Sequence, residues 1–290
     1  MAAALTYCFA RAAPRVTLRP MSSALTVTVR EHVAEVVLST GSKGNALGPR
    51  LWEELPAVFG ELDRDAATRA IVLRAEGPHF TYGLDLPATM AEFGSLFQGG
   101  LADARTQLHD LIGRLQGAVS SIAHCRKPVV AAVQGLCLGG GVDIISACDV
   151  RVCSQDARFS IREVRVAMVA DIGTLQRISR LVGEGHAREL ALTGRDIDAD
   201  RAARIGLVND VHPTPEAACD AARAIAREIA ANPPLVVQGV KTVMNERVRA
   251  ADEAGLRFVA AWNAAFLPSA DLGEALAAFM EKRAPKFEGK

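Results

Sequence analysis

Apolar and polar positions change period several times along the chain, and each change marks an element. Residues 25–30, Leu-Thr-Val-Thr-Val-Arg, alternate, and residues 33–38, Val-Ala-Glu-Val-Val-Leu, run β-branched. With only Glu31 and His32 between them, they predict a two-stranded hairpin. Residues 41–48 read as loop. Leu51, Leu55, Val58, Phe59 and Leu62 recur at helical spacing and predict an amphipathic helix. Residues 70–74, apolar up to Arg74, and 129–133, apolar throughout, are short runs that suit buried strands. Residues 77–86 form a loop after the first of these. Residues 88–104 are apolar but irregular, and a long helix is expected over about 105–124. Gly139-Gly140-Gly141 opens another helix, which ends near Cys148, and residues 150–153 and 158–161 read as strands. From Gly173 onward the pattern is almost wholly helical, punctuated by Pro213, Pro215 and Pro233-Pro234. Strand-and-helix units first and helices after make an α/β fold with a helical C-terminal part.

A chain of 290 residues can bury a large core. The 33 basic residues are balanced by 33 acidic ones, so the electrostatic footprint of a nucleic-acid binder is missing. The abundance of alanine and the preference for arginine over lysine read as genomic bias. Six cysteines include no Cys-x-x-Cys and no set with zinc spacing. Cys137, Cys148 and Cys153 fall in apolar segments and are expected to be small buried hydrophobes, which suits a reducing compartment. The longest apolar run, 128–145, is interrupted by glycines, Gln134 and Asp143, so no membrane span is expected. Residues 1–22 carry Arg11, Arg15 and Arg19 and no acid. They read as a disordered leader, an early start with Met21 the true one, or a transit peptide. A core over 23–210 and a helical region over 211–290 complete the expected organisation.

Chemistry concentrates in and just after one glycine-rich stretch. Asp143, Glu163 and Asp171 each stand in an apolar setting. Charged side chains are rarely buried without a partner or a purpose, and three together point to proton transfer. Gly139-Gly140-Gly141 lies between a strand and a helix, where free N–H groups suit a phosphate or a forming oxyanion, or the glycines simply make a tight turn. No Gly-x-Gly-x-x-Gly and no P-loop lysine is present, which weakens the phosphate reading. The loop Phe80-Thr-Tyr-Gly-Leu-Asp-Leu86 also follows a buried strand, and it can supply a second N–H. Two such donors beside carboxylates suit removal of a proton α to a carbonyl. The six histidines form no cluster, and no Gly-x-Ser-x-Gly marks a serine hydrolase. Phe258 and Trp262, four residues apart on a late helix, read as core or subunit contact. Met90, Phe93 and Phe97 are candidates for an acyl pocket or for ordinary packing.

An ordered set of short motifs runs from about Leu25 to the C-terminus. It comprises Lys43-Gly-Asn-Ala-Leu47, the 80–86 loop, Lys127-Pro-Val-Val-Ala-Ala-Val-Gln-Gly135, Gly139-Gly-Gly-Val-Asp143, Ala147-Cys-Asp-Val-Arg151 and Thr193-Gly194. In this set the chain resembles the crotonase superfamily of enoyl-CoA hydratases and isomerases. Asp143, Glu163 and Asp171, with the tract 170–177, make it most similar to the Δ3,5-Δ2,4-dienoyl-CoA isomerases. A hydratase of the superfamily carries glutamate at the position of Asp143 and normally no acid at that of Asp171.

The resemblance implies a crotonase-like spiral of ββα units with a C-terminal helical trimerisation region, and a homotrimer or a dimer of trimers. It implies an oxyanion hole from the N–H groups of Leu84 and Gly140. A path for the CoA thioester would run along Asn45, Ala46, Tyr82, Gly83, Leu84, Asp85, Leu86 and Gly140, with Lys282 or Lys286 near the nucleotide phosphates. Glu163 would take a C2 proton from a 3,5-dienoyl-CoA, Asp171 would deliver one at C6, and Asp143 would orient or tune the pair. Coenzyme A is then part of the substrate, and no metal or other cofactor, nucleic acid or membrane is expected. The implied setting is fatty-acid β-oxidation, in a bacterial cytoplasm, or in a mitochondrion if the leader is a transit peptide. The rivals are a hydratase or Δ3-Δ2 enoyl-CoA isomerase of the same superfamily, and a non-catalytic or RNA-binding protein of that fold.

Overall fold

The computed structural model describes residues 15–17, 24–97 and 102–290. The first strands are β1 (Arg15–Thr17), β2 (Leu25–Arg30) and β3 (Val33–Leu38), followed by α1 (Pro49–Arg64), β4 (Ala70–Ala75), α2 (Leu86–Phe93) and α3 (Ala102–His124). Next come β5 (Val129–Val133), β6 (Leu136–Leu138), α4 (Gly140–Ser146), β7 (Val150–Ser154) and β8 (Arg158–Ser160). The remainder is α5 (Thr174–Val182), α6 (Glu184–Thr193), β9 (Ile197–Asp198), α7 (Ala199–Arg204), β10 (Asp210–His212), α8 (Pro215–Ala231), α9 (Pro234–Phe266) and α10 (Ala270–Glu281).

Seven strands form one sheet in the order β1-β2-β3-β4-β5-β7-β10. The pairs β1–β2 and β2–β3 are antiparallel, and the pairs from β3 to β10 are parallel. The hairpin turns on Glu31 and His32, both at positive φ (49° and 67°), which is the backbone that a two-residue hairpin loop demands. The central strands are buried, as their apolar runs predict, and on both faces. Ile71, Leu73, Val129 and Ala131 join the main core. Ala70, Val72, Val130 and Ala132 face α8. That helix meets the sheet through Ala222, Ala226 and Ala230, a stripe at every fourth residue. Small side chains there let the helix lie close to the strands, so these alanines serve packing.

Several expectations need correction. Residues 86–93 form α2 rather than an irregular stretch, with the Asp85 carboxylate capping the helix by accepting from Ala88 N at 3.0 Å. The segment after Gly173 is helical apart from the short strands β9 and β10 and the connections between elements. The unpredicted β6 pairs with β8, which in turn pairs with β9, to build a second small sheet beside the first. Cys137, Cys148 and Cys153 are buried as expected, together with Cys125. Of the leader, Arg15–Thr17 pair with β2. The rest of it, including Met21, lies outside the described residues, as do Gly99, Gly100 and the side chain of Phe97.

Candidate active site

Three strand ends converge to build the site. Isolated bridges join Leu47 to Leu84 and Thr81 to Cys137, so the 80–84 loop runs between the 43–47 turn and β6. Asn45 secures this arrangement: its Nδ2 donates to Glu76 O at 2.6 Å and to His79 O at 3.1 Å. Gln134 does the same from the other side, donating to the carbonyls of Ala75 and Gly77 at 3.0 Å. Gly83 adopts φ 92°, and a Cβ there would stand 2.9 Å from Leu138 O and 3.8 Å from Gly139 Cα. Only glycine permits that approach. The main chain just before Leu84 is thereby brought against Leu138 and Gly139, the residues that lead into Gly140. Gly140 is the first residue of α4, where an N–H has no acceptor within the helix. Gly139, at φ 52°, turns the chain from β6 into α4.

The three acids close on this point. A Cβ on Gly139 would lie 3.2 Å from Glu163 Oε1, so the Glu163 carboxyl sits directly over the turn into α4. Its Oε2 is buried and finds no hydrogen-bond partner among the described residues. Asp143, on the first turn of α4, is 1% exposed. Its Oδ1 accepts from Thr174 N at 2.5 Å, while Oδ2 is buried without a hydrogen-bond partner among the described residues. Asp171 is 8% exposed and its Oδ2 accepts from Asn263 Nδ2 at 2.7 Å.

Burial raises the pKa of all three, because desolvation penalises the charged form. For Asp143 the amide of Thr174 and the Arg177 guanidinium oppose that rise. For Glu163 the charges of Asp143 and Asp171 add to it, and the pKa stands well above the usual carboxylate range. Burial lifts Asp171 to about 7, with Asn263 opposing and Asp143 reinforcing the shift. Three acids this close hold one or more protons near neutrality. The cluster can therefore both accept and donate a proton.

Asp171 lies between buried Ala170 and Ile172, although Val169 is 36% exposed. It also meets two residues remote in sequence, Gln116 of α3 and Asn263 of α9. Neither amide was a sequence candidate. Of the residues expected along the thioester path, Ala46 and Asp85 line a surface hollow of about 260 Å³ together with Ser42, Gly48 and Arg50. The Asn45 side chain supports the loop through the carbonyls of Glu76 and His79, and the Asp85 carboxylate also caps α2. Tyr82 is exposed and its ring covers Gly44, where a Cβ would lie 2.5 Å from the ring. Leu86 begins α2. Met90 and Phe93 are half-buried, and Phe93 packs with Leu96, Met168 and Leu276 in an apolar cluster with α3, α9 and α10. His79 accepts from Leu136 N at 3.1 Å and supports the loop. Lys282 and Lys286 are exposed. Among the described residues no helix is long and apolar enough to cross a membrane.

Comparison with known proteins agrees with this geometry. The family model described as Enoyl-CoA hydratase/isomerase matches residues 28–290. A mitochondrial Delta(3,5)-Delta(2,4)-dienoyl-CoA isomerase of Dictyostelium discoideum is 44% identical, covering 88% of this chain and 87% of its own. A peroxisomal Delta(3,5)-Delta(2,4)-dienoyl-CoA isomerase of Arabidopsis thaliana is 41% identical, covering 88% and 92%. The crystal structure of an enoyl-CoA hydratase/isomerase from Pseudoalteromonas atlantica T6c superposes with a TM-score of 0.80 at 27% identity, over 92% of this chain and 100% of that one.

Proposed function

The chain belongs to the enoyl-CoA hydratase/isomerase family, and within it we propose that it isomerises 3,5-dienoyl-CoA thioesters to 2,4-dienoyl-CoA in fatty-acid β-oxidation. The observation that carries this reading is the third buried acid, Asp171, close enough to Glu163 and Asp143 for their charges to interact. A single-site deprotonation needs one base. A shift of two double bonds moves a proton between distant carbons and needs a donor as well.

The N–H groups of Leu84 and Gly140 would hold the thioester oxygen. Removal of a C2 proton by Glu163 converts the carbonyl to a dienolate oxyanion, the charge those two donors are aimed to meet. The charge is delocalised to C6, where Asp171 donates its proton and restores the thioester. The productive form has Glu163 ionised and Asp171 protonated. The form with the proton on Glu163 carries the same net charge, so pH does not interconvert the two. Turnover occurs over the window in which the pair holds one proton. Asp143, held by Thr174 N and facing Arg177, adds negative charge that keeps this proton in the pair. The scheme needs no metal or redox cofactor.

Side-by-side assay of the pure protein with 3,5-octadienoyl-CoA and crotonyl-CoA tests the reading. We expect rapid isomerisation of the dienoyl thioester and far slower hydration of crotonyl-CoA. The reverse order would make the chain a hydratase.

The assembly is proposed to be a homotrimer or a dimer of trimers. Phe258, Trp262 and Phe266 recur every fourth residue on α9 and are 69%, 45% and 61% exposed on the single chain. Their rings stack along the helix with centroids 6.3 and 4.7 Å apart. Such a stripe is an interaction surface rather than a solvated face. Phe258→Asp is expected to lower the mass in light scattering to that of smaller species. An unchanged assembly would place the interface elsewhere. Lys282 and Lys286 are proposed to meet the nucleotide phosphates. The proposed setting is a bacterial cytoplasm, or a mitochondrion if the leader is a transit peptide.

A further inference from the structure

Asn263 lies near the C-terminal end of α9 and is 2% exposed. Its Nδ2 stands 2.7 Å from Asp171 Oδ2 and 2.9 Å from Val169 O. A main-chain carbonyl only accepts, so the end of the amide that meets Val169 O is the NH₂ group. The opposite assignment would set the amide oxygen against a carbonyl oxygen. That one NH₂ therefore donates to Asp171 Oδ2 as well. In a neutral carboxyl the carbonyl oxygen is the better acceptor, so Oδ2 is the carbonyl and the proton resides on Oδ1. A second amide, Gln116 of α3, donates to Asp171 O at 2.7 Å and to Leu256 O at 2.9 Å. It ties the main chain of Asp171 to α9, so backbone and carboxyl are held from two helices.

We propose that Asn263 is the positioning residue of the acid: it directs the transferable proton of Asp171 to Oδ1 and stabilises the charge that appears on the carboxylate when that proton leaves. In the step concerned, the Oδ1–H bond breaks and a C6–H bond forms with an electron pair of the dienolate. The negative charge passes from the dienolate to Asp171. The Asn263 donor already faces Oδ2 before the charge arrives, so little reorganisation accompanies the transfer. The inference rests on the reading of Asp171 as the proton donor.

The titratable groups that face Asp171 are Asp143 from α4 and Glu163 from the turn after β8, and both disfavour its ionised form. From α3 and α9 it meets the neutral amides Gln116 and Asn263. Asn263 is thus the side chain that opposes those two carboxylates at Oδ2.

The test compares pH–rate profiles of the wild type, Asn263→Leu and Asp171→Asn with a 3,5-dienoyl-CoA. Leucine keeps the shape of asparagine and removes the donor. An acid must be protonated to act, so wild-type turnover falls as pH rises through the upper pKa of the Glu163–Asp171 pair, where its one remaining proton is lost. Without Asn263 the ionised carboxylate loses its partner, its pKa rises, and the alkaline limb moves to higher pH. The plateau kcat is expected to fall about ten- to a hundredfold, the size of a lost hydrogen bond to a charged group, with KM little changed. A purely structural asparagine would lower kcat alike at every pH and leave the limb where it was. That result, or unchanged kcat in a folded variant, overturns the proposal.

If Asn263→Leu does not fold, the infrared difference between the wild type and Asp171→Asn at acidic pH reports the Asp171 carbonyl stretch. A stretch lowered by a donated hydrogen bond supports the proposal. A stretch at the frequency of an unbonded acid overturns it. The two readings separate cleanly: wild-type turnover in Asp171→Asn rejects the donor role itself. An inactive Asp171→Asn beside an unaltered Asn263→Leu rejects only the positioning.

Discussion

Glu163→Gln is expected to keep the fold and the affinity for the CoA thioester while losing roughly 10²–10⁴ of kcat, the contribution typical of a general base. Its carboxyl lies over Gly139 at the start of α4, beside the N–H of Gly140 that would hold the thioester oxygen. The acidified carbon of a thioester is bonded to the carbonyl carbon, so a base in this position reaches C2. Glutamine preserves shape and burial and cannot take the proton. Exchange of the C2 protons with deuterated water should therefore disappear together with product formation. Exchange at the wild-type rate would move the base elsewhere in the cluster.

Stability should move in the opposite direction to activity. The folded-state pKa of Glu163 is raised above its ordinary value of 4.5, and its Oε2 has no hydrogen-bond partner among the described residues. Between those two pKa values the folded chain holds a proton that the unfolded chain has lost. Folding stability therefore declines as pH rises through that window. Glutamine does not titrate, so the variant escapes its share of the decline. Thermal midpoints from mildly acidic to alkaline pH should fall less steeply in Glu163→Gln than in the wild type. Equal slopes would mean that the glutamate is better solvated than its setting indicates.

Much of this site is legible from the chain alone, because its parts are local. The three acids stand close together in sequence, and the glycines that shape the turn before α4 are contiguous with Asp143. The central strands are legible because burial on both faces leaves β5 wholly apolar and β4 apolar but for Arg74. What escapes is tertiary or very short. Asn263 meets Asp171 across 92 residues of sequence and Gln116 meets it across 55, and an amide within a helical pattern carries no sign of its partner. Strands β6, β9 and β10 are two or three residues long, too brief for alternation to register. The α2 helix is apolar without a clean stripe, because among its residues only Thr89 is fully buried. Its signals were present in the capping Asp85 and in Pro87 at the second helical position. Alanine abundance looked like background, yet the stripe on α8 gives three of those residues a structural purpose.

Asp171→Asn should separate the two halves of the reaction. The variant keeps the Glu163 base and the backbone donors at Leu84 and Gly140. An asparagine oxygen can still accept from Asn263, so the junction between α9 and the segment before α5 is preserved. The dienolate should form and collapse back, and the C2 protons should continue to exchange with deuterated water. Product formation should fall by about 10²–10⁴, because the group that supplies the C6 proton is gone. The loss should appear in kcat, with KM little changed, since Asp171 acts after the substrate is bound. Simple hydration, or a double-bond shift confined to C2–C4, places no demand on a donor at C6, so neither predicts this split. A mass-spectrometric measurement of C2 deuterium beside a spectrophotometric measurement of diene formation reads both halves in one sample. If Asp171→Asn forms the 2,4-diene at the wild-type rate, the donor role is rejected and the third acid has no part in the chemistry. If exchange and product formation fall together, Asp171 is needed to form the dienolate, and the assignment of base and acid must be redrawn.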